Sequence, residues 1–466
     1  MERPSIAVLV ALVVFLYGFV RLLSVGRRPK DYPPGPPTIP VLGNIHQMPT
    51  RDAHLQFEKW AREYGDIYSL MLGTQTMIVL SSDEAVKELL DRNSGNFSNR
   101  LEMYFRKMIH HLLNATVAPQ YVPYQILENK QMLNDLLDTP NDFLKHIRRY
   151  SNALTTSMVF GWRTPTYEDD AVKQLFDGLS EFADINQTGV AALLDAFPLL
   201  RKLPETLLPV QKKAKELHKV ERELYLRHWL RAKKEIKEDT IKHCVGMAEA
   251  QKKEGFSDAQ AAYISGTLLE AGSDTTSSTL YAFAELPYIR MIMKETLRWA
   301  PTTVLGAVSH VTTEAATYKG YYIPAGAGVM NNVWAIHNDP ARSPNPHLFD
   351  PNRFKDDKLS LYDSTSNPDP SKRDCFTFGA GRRICPGMHV AERSLFLGMA
   401  RLLWAFSIKP AKDADGNEIV PQGQKFTQGF VCMPEEFPAD IVRTEWQVAG
   451  SQSLDHDTKQ WIASPI

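Results

Sequence analysis

A single cysteine near the C-terminus lies in a glycine-rich segment that could hold a metal. Residues 378–387 read FGAGRRICPG, and Cys385 stands between two nearby arginines and a proline. Glycines on both sides permit close backbone approaches, and the proline suits the first turn of a helix. A cysteine at a helix start beside two arginines is expected to have a lowered pKa and to ionise. Ionised Cys385 could ligate haem iron, an arrangement that favours O–O cleavage; the alternative is a buried structural cysteine.

The spacing of this segment matches a longer pattern, F-x-x-G-x-R-x-C-x-G. Five positions in ten residues agree with it: Phe378, Gly381, Arg383, Cys385 and Gly387. On these residues the chain resembles the cytochrome P450 family of haem-thiolate monooxygenases. The resemblance implies haem b as cofactor, Cys385 as the axial ligand of its iron, and O2 as cosubstrate. It also implies electrons from NADPH through a separate NADPH-cytochrome reductase, because the chain has no dinucleotide-binding or flavin motif of its own.

An acid and three hydroxyl residues stand together in a long apolar stretch upstream. Residues 271–276 read AGSDTT. An acid next to an alcohol can relay protons to an oxygen atom, and a threonine hydroxyl can open the helical hydrogen-bond ladder locally. The resemblance implies that Asp274 and Thr275 are the catalytic pair that delivers protons. The alternative is the polar face of an ordinary helix.

Three charged residues are predicted to form a structural lock. Glu295 and Arg298 are one helical turn apart, and Arg353 belongs to the downstream segment PNRF, which matches the family pattern P-x-R-F. The resemblance implies that the three side chains form a buried ion triad behind the haem, whose role is in folding and haem retention. Most glutamate–arginine pairs one turn apart are weak surface contacts.

Haem carries two propionates, which require basic partners. The resemblance implies Arg383, His310 and Arg106 for this role, although a lone basic residue is more often solvated. Substrate contacts are expected where small or apolar residues fall at the family's cavity positions, and they predict a hydrophobic small-molecule substrate. These positions, each of which could equally be core, are Leu268, Ala271, Gly272, Val304, Leu305 and Phe430.

The N-terminus differs from the rest of the chain in its long uncharged, apolar segment. Residues 6–20 carry no charge and are followed by a basic cluster at residues 27–30 and a proline-rich run at residues 32–37. This order predicts a membrane anchor with the catalytic domain on the cytosolic face, at the endoplasmic reticulum; a cleaved signal peptide is the weaker alternative. The predicted organisation is an anchor over 1–26, a basic and proline-rich hinge over 27–43, a haem-binding catalytic domain over 44–450 and a polar tail over 451–466.

Composition limits the remaining classes of function. The chain has 466 residues, 43% of them hydrophobic, and a formal net charge of −1. A near-neutral balance gives no reason to expect nucleic-acid binding. The four cysteines form no C-x-x-C pair, which argues against a zinc site, and are too few for a disulfide framework.

Periodicity predicts a mainly α fold with small β-sheets, the α+β class, and the resemblance implies the cytochrome P450 fold with an N-terminal transmembrane helix. Capping-box patterns predict helix starts at Ser81-x-x-Glu84 and Ser257-x-x-Gln260. A strand hairpin is expected around Gly73, with long helices over 170–182 and 210–238 and a helix over 387–404.

Two places depart from the family pattern. Glu102 stands where the family has a tryptophan before Arg106, and only 20 positions separate Thr275 from Glu295, where the family places further helices. Both joins are abrupt, as in a shortened protein or a gene model with lost exons. A second hypothesis is therefore a catalytically disabled haem- or lipid-binding remnant, and a third is a membrane-tethered interaction protein without haem.

Two further expectations concern the surface. The resemblance, strongest with fungal members that oxidise secondary metabolites, places the reductase near the cysteine segment, on Lys372, Arg373 and Arg382. Three N-x-[ST] sequons begin at Asn96, Asn114 and Asn186. A cytosolic domain predicts that all three carry no glycan.

Overall fold

The structure is a computed structural model, and α-helices make up most of what it describes. The described residues are 15–18, 20–99, 118–186, 194, 198–204, 206–238, 245–282, 289–419, 425–429 and 431–443. The helices are α1 Ala53–Tyr64, α2 Asp83–Val86, α3 Ser94–Phe97, α4 Val122–Asp138, α5 Phe143–Phe160, α6 Asp170–Asn186, α7 Pro209–Lys237, α8 Val245–Glu254, α9 Asp258–Ala282, α10 Ile289–Trp299, α11 Val333–His337, α12 Leu361–Thr365 and α13 Met388–Ala405.

The strands form small sheets. They are β1 Ile67–Leu72, β2 Gln75–Leu80, β3 His310–Val311, β4 Ala316–Tyr318, β5 Tyr321–Ile323, β6 Gly328–Asn331, β7 Phe406–Lys412, β8 Glu418–Ile419 and β9 Ala439–Arg443. The first sheet has the order β1-β2-β6-β3, with β2 and β6 parallel and the other pairs antiparallel. A hairpin of β4 and β5 and a sheet of order β8-β7-β9 complete the described strands.

Helix α9 is the central element of the helical part. It packs against α5, α7 and α13, and small buried residues such as Ser265, Ser273 and Ser277 face its neighbours. A Cβ on Gly272 would lie 2.7 Å from the Thr155 hydroxyl oxygen of α5. The missing side chain at residue 272 therefore lets α5 and α9 approach closely.

The capping predictions have two outcomes. The box at the start of α9 is confirmed: the Ser257 amide donates to Gln260 Oε1 at 2.9 Å, and the Gln260 amide donates to Ser257 Oγ at 3.2 Å. The prediction for Ser81 was wrong by one residue. Ser82 caps α2, which begins at Asp83, by accepting from the Ala85 amide. The Ser81 hydroxyl instead accepts a hydrogen bond from Asn332 next to β6.

The predicted membrane anchor falls mostly outside the described residues. Residues 15–18 and 20–24 are helical, and Phe15, Leu16 and Val20 are exposed there. None of the helices in the described part of the chain combines the length and apolar character needed to cross a membrane. Arg106, Phe430, Asn114 and residues 451–466 also lie outside the described part.

Candidate active site

The cysteine segment is held by backbone contacts. The Cys385 amide donates to the Phe378 carbonyl at 2.8 Å, and the Ile384 amide donates to the Gly381 carbonyl at 3.2 Å. Gly381 has φ +61°, and a Cβ there would lie 1.9 Å from the Leu90 carbonyl oxygen. The pattern requires glycine at this position because the loop turns in the left-handed region while touching the π-helical turn over Lys87–Arg92.

The Cys385 thiol lies at the start of α13. The backbone N–H groups of Gly387 and Met388 point to its sulfur, and these hydrogen bonds oppose the effect of burial, which raises the pKa of Cys385 overall. The prediction of a lowered pKa is therefore wrong for the protein alone. Arg382 is exposed, and Arg383 donates to the Ser98 carbonyl at 2.8 Å. A bound cation is what would ionise this thiol, since a coordinating thiol loses its proton outright.

One face of α9 has accessible surface in mid-helix. Ala271 is exposed, and Leu268 and Thr275, which share its face at spacings of three and four, are half-exposed. The Thr275 hydroxyl donates to the Ala271 carbonyl at 2.6 Å. Together with the sulfur at a helix N-terminus, this face of small and apolar residues fits a flat, apolar cofactor such as haem.

The two described basic residues that the resemblance assigns to the propionates are held close together. His310 Nδ1 is 2.7 Å from the Phe97 carbonyl oxygen, and Arg383 is bonded to the next carbonyl, that of Ser98. Their roles, and that of Arg106 outside the described part, stay predictions.

Asp274 lines a cavity of about 680 Å³. Burial raises the pKa of Asp274 to about 6, against the opposing charge of Arg148. The same cavity is lined by Phe176 of α6 and by Phe426 and Val431 of the C-terminal segment. The pKa of Asp274, the acid predicted from the AGSDTT segment, therefore lies near neutral pH. A pKa in this range suits a group that exchanges protons.

The predicted substrate contacts are separate from this cavity. None of the described ones, Leu268, Ala271, Gly272, Val304 and Leu305, is among its lining residues. Val304 is buried in a cluster with Trp334 and Phe426, and Gly272 faces α5. Their substrate roles stay predictions.

The three residues of the predicted lock come together. Arg298 binds both carboxylate oxygens of Glu295, at 2.7 Å each, and Arg353 Nε lies 3.4 Å from Glu295 Oε1. The Asp350 amide also donates to Glu295, at 2.9 Å. Glu295 and Arg298 are buried. Through Asp350 and Arg353 the triad joins α10 to the short helical turn Pro351–Phe354 and the residue before it.

Sequence reasoning missed His337, which links this triad to the cysteine segment. The Phe376 amide donates to His337 Nε2 at 2.9 Å, so Nδ1 carries the proton and donates to the Arg298 carbonyl at 3.0 Å. Burial and the Arg298 charge lower the pKa of His337 to about 3. The ring is therefore neutral at physiological pH. Its two partners could not be predicted from the sequence, because they come from segments far apart in the chain.

The family model for cytochrome P450 matches residues 33–121, 106–283 and 281–437. The chain belongs to the cytochrome P450 family. It is 43% identical to the cytochrome P450 monooxygenase virE of Hypocrea virens, covering 97% of this chain and 94% of that one. It is also 43% identical to fogE of Aspergillus ruber, over 94% and 91%, and 41% identical to fsoB of Humicola fuscoatra, over 100% and 98%.

The same comparisons bear on the two abrupt joins. The three family matches meet around residues 106–121 and 281–283, close to the positions where the sequence departs from the pattern. The alignment with virE has 523 positions, 57 more than the 466 residues of this P450. Relatives therefore have residues where this chain has none. Because the similarity otherwise extends along the whole chain and the cysteine segment is complete, the interpretation as a disabled remnant is not favoured.

Proposed function

We propose that this P450 inserts one oxygen atom from O2 into a hydrophobic small molecule of fungal secondary metabolism. The observation that carries the proposal is the complete cysteine segment with its sulfur at the N-terminus of α13, in a chain related over its length to fungal P450 monooxygenases. Haem b, when bound, supplies the iron at which O2 is activated with two electrons. Those electrons come from NADPH through a separate reductase.

The chain's own residues have distinct tasks in this proposal. Cys385 holds the iron, while the Gly387 and Met388 amides stabilise charge on its sulfur. Asp274 takes up and releases protons, and Thr275 presents its hydroxyl on the accessible face of α9. Arg383 and His310 bind the propionates.

The substrate is proposed to reach the face of α9 that carries Leu268 and Ala271. That face is apolar and accessible, which suits a ligand recognised mainly by burial of apolar surface.

The proposed reductase surface is smaller than the sequence predicted. Lys372 and Arg382 are exposed and available for an acidic partner. Arg373 is buried and ion-paired with Asp91, so its inclusion in the docking surface was wrong.

The membrane assignment also belongs to the proposal. Uncharged residues 6–20 and the basic cluster after them support an anchor in the endoplasmic reticulum with the catalytic domain in the cytosol.

The proposal is tested with the purified holoprotein, an NADPH-cytochrome P450 reductase and O2. NADPH-dependent O2 uptake is expected for the wild type and for Cys432→Ala, a matched cysteine variant, and is expected to be lost in Cys385→Ala. Incubation of a panel of alkyl aromatics and fatty acids under ¹⁸O2 is expected to yield a product heavier by one ¹⁸O atom. O2 uptake in Cys385→Ala equal to that of the wild type would refute the assignment.

A further inference from the structure

A tyrosine of α7 is set into the surface of α9 and binds a half-buried acid there. The Tyr225 hydroxyl donates a hydrogen bond to Glu270 Oε1. The ring fits because residue 266 is glycine: a Cβ there would lie 2.2 Å from Tyr225 Cγ. Tyr225 is itself buried. The contact is therefore built into the packing of the two helices.

This contact lies within a row of proton-exchanging groups on the facing helices. Glu221 and Tyr225 are one helical turn apart on α7, and Glu270 and Asp274 are one turn apart on α9. Side chains at this spacing are neighbours, with about 5–6 Å between their Cβ atoms. A single bridging water molecule spans such a gap. Thr275 follows Asp274 directly, so the row ends at the predicted proton donor.

Asp274 has Arg148 as an opposing charge, whereas the two glutamates of this row have no such cation among the described residues. Within the part of the chain that the structure describes, no lysine or arginine forms a salt bridge with Glu221 or Glu270. Burial raises the pKa of Glu221 to about 7, and it also raises the pKa of Glu270. The charge of Glu270 acts on Glu221, while Tyr225 and Asp274 act on Glu270 and Arg148 acts on Asp274. Burial and the two glutamates in turn raise the pKa of Tyr263.

We propose that Glu270 is a proton-relay residue, which receives protons from Glu221 and passes them to Asp274 while Tyr225 holds it in place. In each transfer an O–H bond of the Glu270 carboxyl breaks as one forms on the Asp274 carboxylate, and Glu221 then restores the proton. No electrons move in the relay. The overall reaction, in which O2 and two electrons convert R–H to R–OH and water, consumes two protons. The relay supplies these protons. The inference rests on the proposed function, in which Asp274 delivers protons.

The first test measures the carboxyl groups themselves and needs no turnover. Infrared spectra of the holoprotein between pH 5 and pH 9 are expected to show a protonated-carboxyl band that titrates near pH 7 and is lost in Glu221→Gln. A second protonated-carboxyl band, from Glu270, whose pKa burial raises, is expected to be lost in Glu270→Gln. Tyr225→Phe keeps the ring in its notch but removes the phenol, whose hydrogen bond lowers the pKa of Glu270. That variant is therefore expected to titrate at higher pH. Glu223→Gln, at an exposed position of α7, is the matched control and is expected to leave the bands unchanged.

The second test measures proton supply with reductase, NADPH and O2. NADPH oxidation by Glu270→Gln is expected to fall about 10-fold, less than the loss of roughly 100-fold or more expected for a group acting on the reacting atoms. Its solvent deuterium isotope effect is expected to rise, which a merely structural role would not cause. Glu223→Gln is expected to behave as the wild type.

The outcomes separate the relay from the proposed function. If Asp274→Asn slows oxidation and raises the isotope effect but Glu270→Gln does neither, the relay is wrong and the role of Asp274 stands. If neither variant changes the isotope effect, both proton-delivery assignments are wrong. If Glu270→Gln loses no infrared band, Glu270 is ionised throughout and the relay is overturned.

Discussion

At the residue scale, surroundings rather than residue type decide what each group can do. Cys385 is a weak acid in the protein alone because burial outweighs two backbone N–H groups. His337 is neutral because it is buried beside Arg298. Asp274 is half-buried with Arg148 as its opposing charge, and its carboxyl holds a proton to unusually high pH. The sequence supplied these residue types, whereas their protonation depends on packing between distant segments.

Asp274 makes stability depend on pH. Its pKa rises from the ordinary 3.8 to about 6 in the folded protein, so the folded state binds more protons between these values and its stability falls as pH rises through this window. Asp274→Asn is expected to remove this dependence, stabilising the protein relative to wild type at pH 7.5 by on the order of 2 kcal/mol more than at pH 4.5.

Thermal unfolding of both proteins at the two pH values measures this difference. An unchanged difference between variant and wild type across the window would show that Asp274 titrates as an ordinary exposed carboxyl.

At the scale of elements, the site depends on links between segments far apart in sequence. The lock joins α10 to residues 350–353. His337, at the end of α11, joins α10 to Phe376, just before the cysteine segment. The lock and the cysteine segment could be predicted because each has a fixed local spacing. The Tyr225–Glu270 contact and the Arg148 side of the cavity could not, because they arise where α5 and α7 cross α9.

Breaking the lock is expected to destabilise the protein strongly. Glu295→Ala leaves Arg298 buried without its carboxylate partner, which costs about 3–5 kcal/mol. Glu88→Ala, which removes the exposed partner of Arg92, is the control and is expected to cost less than about 1 kcal/mol.

The measurement is urea unfolding together with haem content. Equal free energies of unfolding for the two variants would contradict the claim that the triad stabilises the fold.

At the scale of the whole molecule, the chain combines a complete cysteine segment with two interruptions of the family pattern. The family matches meet near residues 106–121 and 281–283, so the interruptions fall in the approach to α4 and between α9 and α10. Composition and periodicity predicted a mainly helical chain with small sheets, and this is confirmed. The exact cap of α2 was not predicted, because a contact with Asn332 competes for Ser81.

The proposed N-terminal anchor predicts how the protein associates with membranes and whether its sequons are glycosylated. Expressed in a eukaryotic cell, the chain is expected to sediment with microsomes, and a variant lacking residues 1–26 is expected to be released. Asn96, Asn114 and Asn186 are expected to carry no glycan, because the proposed anchor would place the catalytic domain in the cytosol. Mass spectrometry of the sequon peptides checks this, and a glycan on any of them would reverse the orientation.

The most direct test of the central claim is the absorbance difference spectrum of the reduced protein with carbon monoxide. The chain is expressed as written, supplied with haem, reduced and exposed to the gas. The account predicts the red-shifted Soret band of a thiolate-ligated carbonyl haem, present in the wild type and absent in Cys385→Ala. No band, or only the shorter-wavelength band of haem without a thiolate ligand, would contradict the claim that Cys385 holds haem iron in this protein.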